Sequence, residues 1–326
     1  EATTLRFVPN DLAEGVRWDN RLNWDTEDLP GLYANDNADL GGNEVVFGSN
    51  SHIDTLDFGP GGTLIAYGGR LTLDGGMTAG EGGGELFLER AGQVWTNGSD
   101  GSDIAIDVTG GRFANTGDMS GADLTATGGQ AILATGGAEF DLDAGHTLTV
   151  TGGAKAGFDG DDGEMAILDM HEGATLAFGF EDGDLGSIEE FRSGAFGDAP
   201  NVQSGIDLGD ATLEIDLSGL TADAGTAFTL MDADEIVGLF NDAVVGGLGA
   251  RNATIVMDYE TDSVKREVSA GNGAVSIQTV GDQGNVSAGN QSLWDALTAD
   301  QGVLSETQAA MVPDDEDDMV DPLLAA

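Results

Sequence analysis

The sequence predicts an all-β, elongated β-solenoid, and three observations carry that prediction. Apolar and polar residues alternate with period two in short runs, and most runs end at a glycine pair or an Asp-Gly step. The runs are three to five residues long, too short for an open sheet of ordinary proportions. The composition agrees, with 53 glycines, 6 prolines, 40% hydrophobic residues and 6% aromatics.

The repeating part spans residues 51–210. Leu71-Thr72-Leu73 precedes Gly75-Gly76, and Ile104-Ala105-Ile106-Asp107-Val108 precedes Gly110-Gly111. Leu124-Thr125-Ala126-Thr127 precedes Gly128-Gly129, and His146-Thr147-Leu148-Thr149-Val150 precedes Gly152-Gly153. In a coil of stacked rungs, inward Leu, Ile, Val and Phe meet the equivalent position one rung away, while Thr, Asp and Glu face water. Glycine serves where the coil turns a corner with positive φ. The glycine pairs are unevenly spaced, so the strict period of calcium-binding nonapeptide repeats is not met. A β-sandwich or jelly roll would show the same alternation and is the alternative architecture.

The flanks read differently. Residues 1–50 hold Trp18, Trp24, Pro30 and Tyr33 and form an N-terminal cap, with Trp18, Trp24 and Phe47 buried as a plug over the first rung. Residues 211–281 carry longer strands, such as Thr212-Leu213-Glu214-Ile215-Asp216-Leu217, and read as a C-terminal antiparallel β cap. Residues 282–326 form an acidic, partly helical tail, with Gln291 to Leu297 and Ser305 to Met311 at helical spacing before the block Asp314-Asp315-Glu316-Asp317-Asp318.

Charge narrows the function classes. The 11 basic and 59 acidic residues give 11 − 59 = −48, which repels nucleic acid and anionic membranes. The basic residues are scattered: Arg70, Arg90, Arg112, Lys155 and Arg192 are far apart, and only Lys265-Arg266 are adjacent. Cysteine is absent, which excludes disulfides and thiolate metal sites. No apolar run reaches the ~20 residues of a membrane-spanning helix. A chain opening at Glu1 fits a mature, exported form, so the expected location is the extracellular cell surface.

The segments Trp18-Asp19-Asn20, Asn23-Trp24 and Asn43-Glu44-Val45-Val46-Phe47-Gly48, followed by the Gly-Gly repeats, resemble the opening of autotransporter-type passengers and related bacterial surface β-solenoid proteins. Thr226-Ala227-Phe228-Thr229-Leu230-Met231-Asp232, Gly238-Leu239-Phe240 and Gly273-Ala274-Val275-Ser276-Ile277 resemble their closing module. The resemblance implies a surface-exposed scaffold and carries over no functional residue. Where autotransporters continue into a membrane barrel, this sequence has its acidic tail.

The site chemistry most worth expecting is calcium, because hard cations take clustered carboxylate and carbonyl oxygens. Asp159, Asp161, Asp162 and Glu164 form the densest cluster; Asn35-Asp36-Asn37 with Asp39, and Asp100 with Ser102 and Asp103, are two more. A solvated acidic turn is the plain reading of each. His52, His146 and His171 lie far apart in sequence, and His146 reads as a surface turn residue. No Gly-x-Ser-x-Gly elbow is present, and the scattered basic residues argue against a uronate-cleaving groove. The expected protein is therefore no enzyme but a self-associating, cation-stabilised subunit of a surface layer, filament, sheath or matrix. The alternatives are an adhesin, a virion fibre or decoration module and, less favoured, a polysaccharide-active enzyme.

Overall fold

The computed structural model describes residues 3–9, 16–33, 35–99, 103–159, 164–191, 203–219, 226–238 and 240–246, and the strands Arg251–Asp258, Ser263–Ala270, Val275–Val280 and Asn285–Ala288. The protein is all-β, built from long parallel sheets. Among the described residues the only helical piece is the 3₁₀ turn Arg21–Asn23, capped by the Asn20 side chain, which accepts from the Leu22 N–H at 3.1 Å. The expected helical segments, Gln291 to Leu297 and Ser305 to Met311, lie outside the described residues, while the start of that tail holds the strand Asn285–Ala288.

Three sheets share the chain. The long one runs through Thr3–Arg6, Asp36–Asp39, Ser51–Asp57, Arg70–Thr78, Gln93–Thr96, Arg112–Asn115, Gln130–Thr135, Lys155–Asp159, Ser187–Glu190 and Thr226–Asp232. The second takes the intervening strands, from Glu44–Phe47 and Gly62–Ala66 through Thr212–Asp216 to Asp242–Gly246. A third begins at Glu139–Leu142 and continues through Met165–Met170 and Gln203–Asp207 to Glu235–Val237. From Glu44–Phe47 to Asp242–Gly246 consecutive strands fall in different sheets and pair in parallel with other strands of their own sheet, apart from the short Asp184–Leu185, which pairs antiparallel with Thr175–Glu181. A sandwich of hairpins would pair neighbours antiparallel instead.

Period-two alternation turns one side of each strand inward, and the parallel register then stacks like upon like. In the second sheet Val45, Leu64, Leu86, Ile106, Leu124, Leu148, Leu176 and Leu213 are successive partners, all buried. Each such side chain contributes about 1.5–3 kcal/mol on leaving water. The long sheet supplies a facing column of Leu71, Val94, Phe113, Ala131, Ala156 and Ile188. A single apolar core joins them, running from Leu5 to Phe240.

Gly157 sits where the long sheet tightens. Its partner strand Gln130–Thr135 slips register between Ile132 and Ala134, and Gly157 takes φ 149°. A Cβ there would overlap the Glu189 carbonyl oxygen of the next strand.

The ends differ from the expectation in detail. Trp18, Trp24 and Phe47 are 1%, 2% and 0% exposed and pack edge to face, with Trp18 and Trp24 centroids 5.0 Å apart and Trp18 and Phe47 5.4 Å apart. Phe7 closes the cluster on Trp24 at 5.3 Å, and the Trp24 indole N–H donates to the Trp18 carbonyl at 2.9 Å. Strand pairing nevertheless begins ahead of this plug, because Thr3–Arg6 already pairs in parallel with Asp36–Asp39. Parallel pairing also persists past residue 211, since Thr212–Asp216 joins both Thr175–Glu181 and Asp242–Gly246. Antiparallel strand pairing occurs at Asp184–Leu185, which folds back on Thr175–Glu181, and again where Thr226–Asp232 meets Ser263–Ala270, which in turn pairs with Arg251–Asp258. Apolar alternation reads the same in both geometries, so only the register separates them.

Candidate metal centre

The third sheet concentrates acidic side chains on its outer face. Phe140, Leu142, Leu168, Met170, Ile206 and Leu208 turn inward and are buried. The residues between them must turn outward, and the register pairs Asp141 with Asp169 and Asp169 with Asp207. Glu139 and Asp143 extend the same face of the first strand. His171 follows the second strand, held where its backbone N–H donates to the Leu142 carbonyl at 3.1 Å.

One ligand atom from each of Asp141, Asp169 and His171 falls within 4.8 Å of the others. Two carboxylate oxygens and an imidazole nitrogen at that separation can close on a divalent cation with small rotamer changes. The set suits a borderline ion such as zinc or manganese; calcium would draw on carboxylate oxygens alone. Chemically the arrangement can hold a cation and neutralise like charge across strands.

Like-charge crowding is already felt there. Burial first, then the Asp169 and Asp143 carboxylates, push the Asp141 carboxyl up from its usual value, with His171 opposing. Glu139 is pushed up in the same way by burial, then by Asp141, Asp169 and Asp118. Both groups bind their protons more tightly in the folded than in the unfolded chain. Their contribution to stability therefore grows as pH falls from 7 through the raised values, is complete below the ordinary value near ~4, and is lost as pH rises. With chelator present, Asp141→Asn should melt higher than the wild type at pH 7, and the gap should close as pH approaches the carboxylate range. Parallel melting curves for the two proteins across that range would show that the crowding is not felt.

The clusters picked out by sequence fare differently. Asp159 is buried at 2% exposure at the end of its strand, and Glu164 is exposed just ahead of Met165–Met170, while Asp161 and Asp162 lie outside the described residues. The Asp36 carboxylate accepts from the Gly31 and Tyr33 N–H groups at 3.2 Å, and Asp39 pairs with Arg6 at 2.9 Å, so both serve the local chain. Asp100 and Ser102 lie outside the described residues. Asp103 stands 3.8 Å from His146, whose other nitrogen is 3.6 Å from Asp123. His146 closes a turn, as its sequence position suggests, with its N–H donating to the Asp143 carbonyl at 3.0 Å, but its ring is partly buried between Asp103 and Asp123 rather than open to the surface. His52 pairs with Asp74 at 2.8 Å.

Sequence spacing gave no sign of the Asp141, Asp169 and His171 set. The usable signal was the repeated Asp at alternate positions in Glu139-Phe140-Asp141-Leu142 and Ile167-Leu168-Asp169-Met170. The basic residues are likewise not scattered in space: Arg70, Arg112 and Lys155 stand in one register column of the long sheet. Among the described residues no helix is long and apolar enough to cross a membrane. No family model matches the chain, and neither a curated protein nor a solved structure matches it.

Proposed function

We propose that the chain is an extracellular structural protein whose parallel sheets are the faces of a β-solenoid, and that it self-associates end to end and is stabilised by divalent cations. The observation that carries this reading is where the exposed large apolar residues lie among the described residues. Val8, Leu22, Leu32 and Tyr33 are exposed around the first strands, Val237 and Val244 on the last strands of the third and second sheets, and Tyr67 alone falls after the second strand of the second sheet. Solenoids bury their flanks and leave their two ends to be covered, and apolar groups at both ends favour head-to-tail contact. Regular outward carboxylates give the assembly a surface that cations can bridge. The reading assigns no catalytic role.

The test is a melt with sedimentation and electron microscopy, in chelator, millimolar calcium and zinc, at constant ionic strength. Divalent ions should raise the melting temperature and the sedimentation coefficient. Asp169→Asn with His171→Gln should remove most of the rise in melting temperature, while Leu32→Ser with Tyr33→Ser should lower the assembly state. Identical melting and sedimentation in all three solutions would overturn cation dependence, and a monomer under every condition would overturn self-association.

A further inference from the structure

The outer face of the long sheet carries a feature absent from the linear sequence. The register runs Arg70 to Gln93, Gln93 to Arg112, Arg112 to Gln130 and Gln130 to Lys155, an alternation of cation and amide along one straight column. With strands ~4.8 Å apart, the cations fall about 10 Å from one another. Three of the 11 basic residues of a chain with net charge −48 are thus gathered on one line.

Trp95 stands beside this column, paired with Thr72 of the preceding strand. The Arg70 and Arg112 guanidinium carbons lie 4.8 and 5.9 Å from its ring centroid, so the indole holds both cations in place. A pocket of about 310 Å³ opens at the same indole, lined by Thr72, Leu73, Asp74, Trp95, Asn97 and Thr116. Asn97 is fixed there by donating its side-chain amide to the Asp74 carbonyl at 2.8 Å.

We propose that this column and pocket bind a linear, carboxylate-bearing oligosaccharide. The pocket supplies two hydroxyls, an amide and a carboxylate, the groups that meet sugar hydroxyls, beside the indole that positions the two arginines. The column supplies cations at an even step, as a polymer with a charge on regularly spaced residues requires, and the glutamines between them bond intervening hydroxyls. Arg presents a planar fork to each carboxylate. Lys155 is already paired with Glu189 at 2.5 Å, and Arg112 lies in the field of the Asp159 carboxylate, so Arg70 is the strongest contact of the column and Lys155 its weaker end. An acidic peptide would bring no ring of hydroxyls to Thr72, Asn97 and Thr116. At physiological salt the repulsion from the rest of the surface decays within ~8 Å, whereas contact pairs with the two arginines persist. This site lies on a different sheet from the acidic face and does not depend on self-association.

The experiment titrates galacturonate tetrasaccharide, a neutral galactose tetrasaccharide and hexaglutamate into the full chain by calorimetry. The galacturonate probe alone should bind. Losing one charged contact in Arg70→Gln or Arg112→Gln should weaken it about tenfold or more, and Trp95→Leu likewise. Lys155→Gln should have a smaller effect. These side chains are partly or fully exposed, and a far-ultraviolet spectrum and melt check each fold; should Trp95→Leu lose structure, the two arginine variants and Thr116→Ala decide. Absence of galacturonate binding, equal binding by both arginine variants, or equal affinity for the neutral sugar or hexaglutamate would each overturn the proposal.

Discussion

Trp18→Ala is expected to destabilise the N-terminal end by about 3–5 kcal/mol, the range for removing a fully buried aromatic side chain. The indole is 1% exposed and touches Trp24 and Phe47 edge to face, so truncation removes two ring contacts and opens a void that the surrounding strands cannot fill. The Trp24 indole N–H donates to the Trp18 backbone carbonyl, a bond that alanine keeps, so the loss comes from the ring contacts. Denaturant unfolding followed by tryptophan fluorescence should show an early transition, with amide protection lost first in Thr3–Arg6 and Glu44–Phe47. Trp18→Phe should recover much of the loss. A midpoint unchanged in Trp18→Ala would mean that the cluster does not hold the end of the sheets together.

That cluster was legible in the sequence because aromatics are scarce here and five of them fall within the first 47 residues. The inward columns were legible too, since alternation such as Thr147-Leu148-Thr149-Val150 allows only one side to be apolar. Register was not. The turns between strands vary in length, so nothing in the linear spacing says that Leu124 meets Leu148, or that Asp141 meets Asp169 and Arg70 aligns with Arg112. Every outward constellation depends on that alignment, which is why the sequence pointed to the contiguous aspartates around Asp159 and passed over carboxylates brought together from different circuits.

The second large effect is expected at a single methyl group. Gly157→Ala should be strongly destabilising, through backbone strain of about 1–3 kcal/mol and overpacking of about 1–3 kcal/mol. The added Cβ has only backbone before it, the Glu189 carbonyl, and backbone in a paired strand cannot swing aside as a side chain does. Gly145→Ala is the control. It has φ 88° but open space around the new methyl, so it should show only the left-handed cost of about 1–2 kcal/mol. Chemical denaturation of both variants measures the difference. Equal losses would show that the close approach at Gly157 relaxes freely.

The parallel pairing of each strand with its counterpart one circuit earlier and one circuit later has a consequence for how the molecule can change. In the proposed solenoid coupling is one-dimensional: a circuit communicates only with its two neighbours, so stability accumulates along the axis and opening proceeds inward from the ends. Length then becomes a separable property. A circuit gained or lost between Gly84–Leu88 and Ala122–Ala126 would leave the columns on either side in register, so reach can change while the core chemistry and the two end surfaces stay as they are.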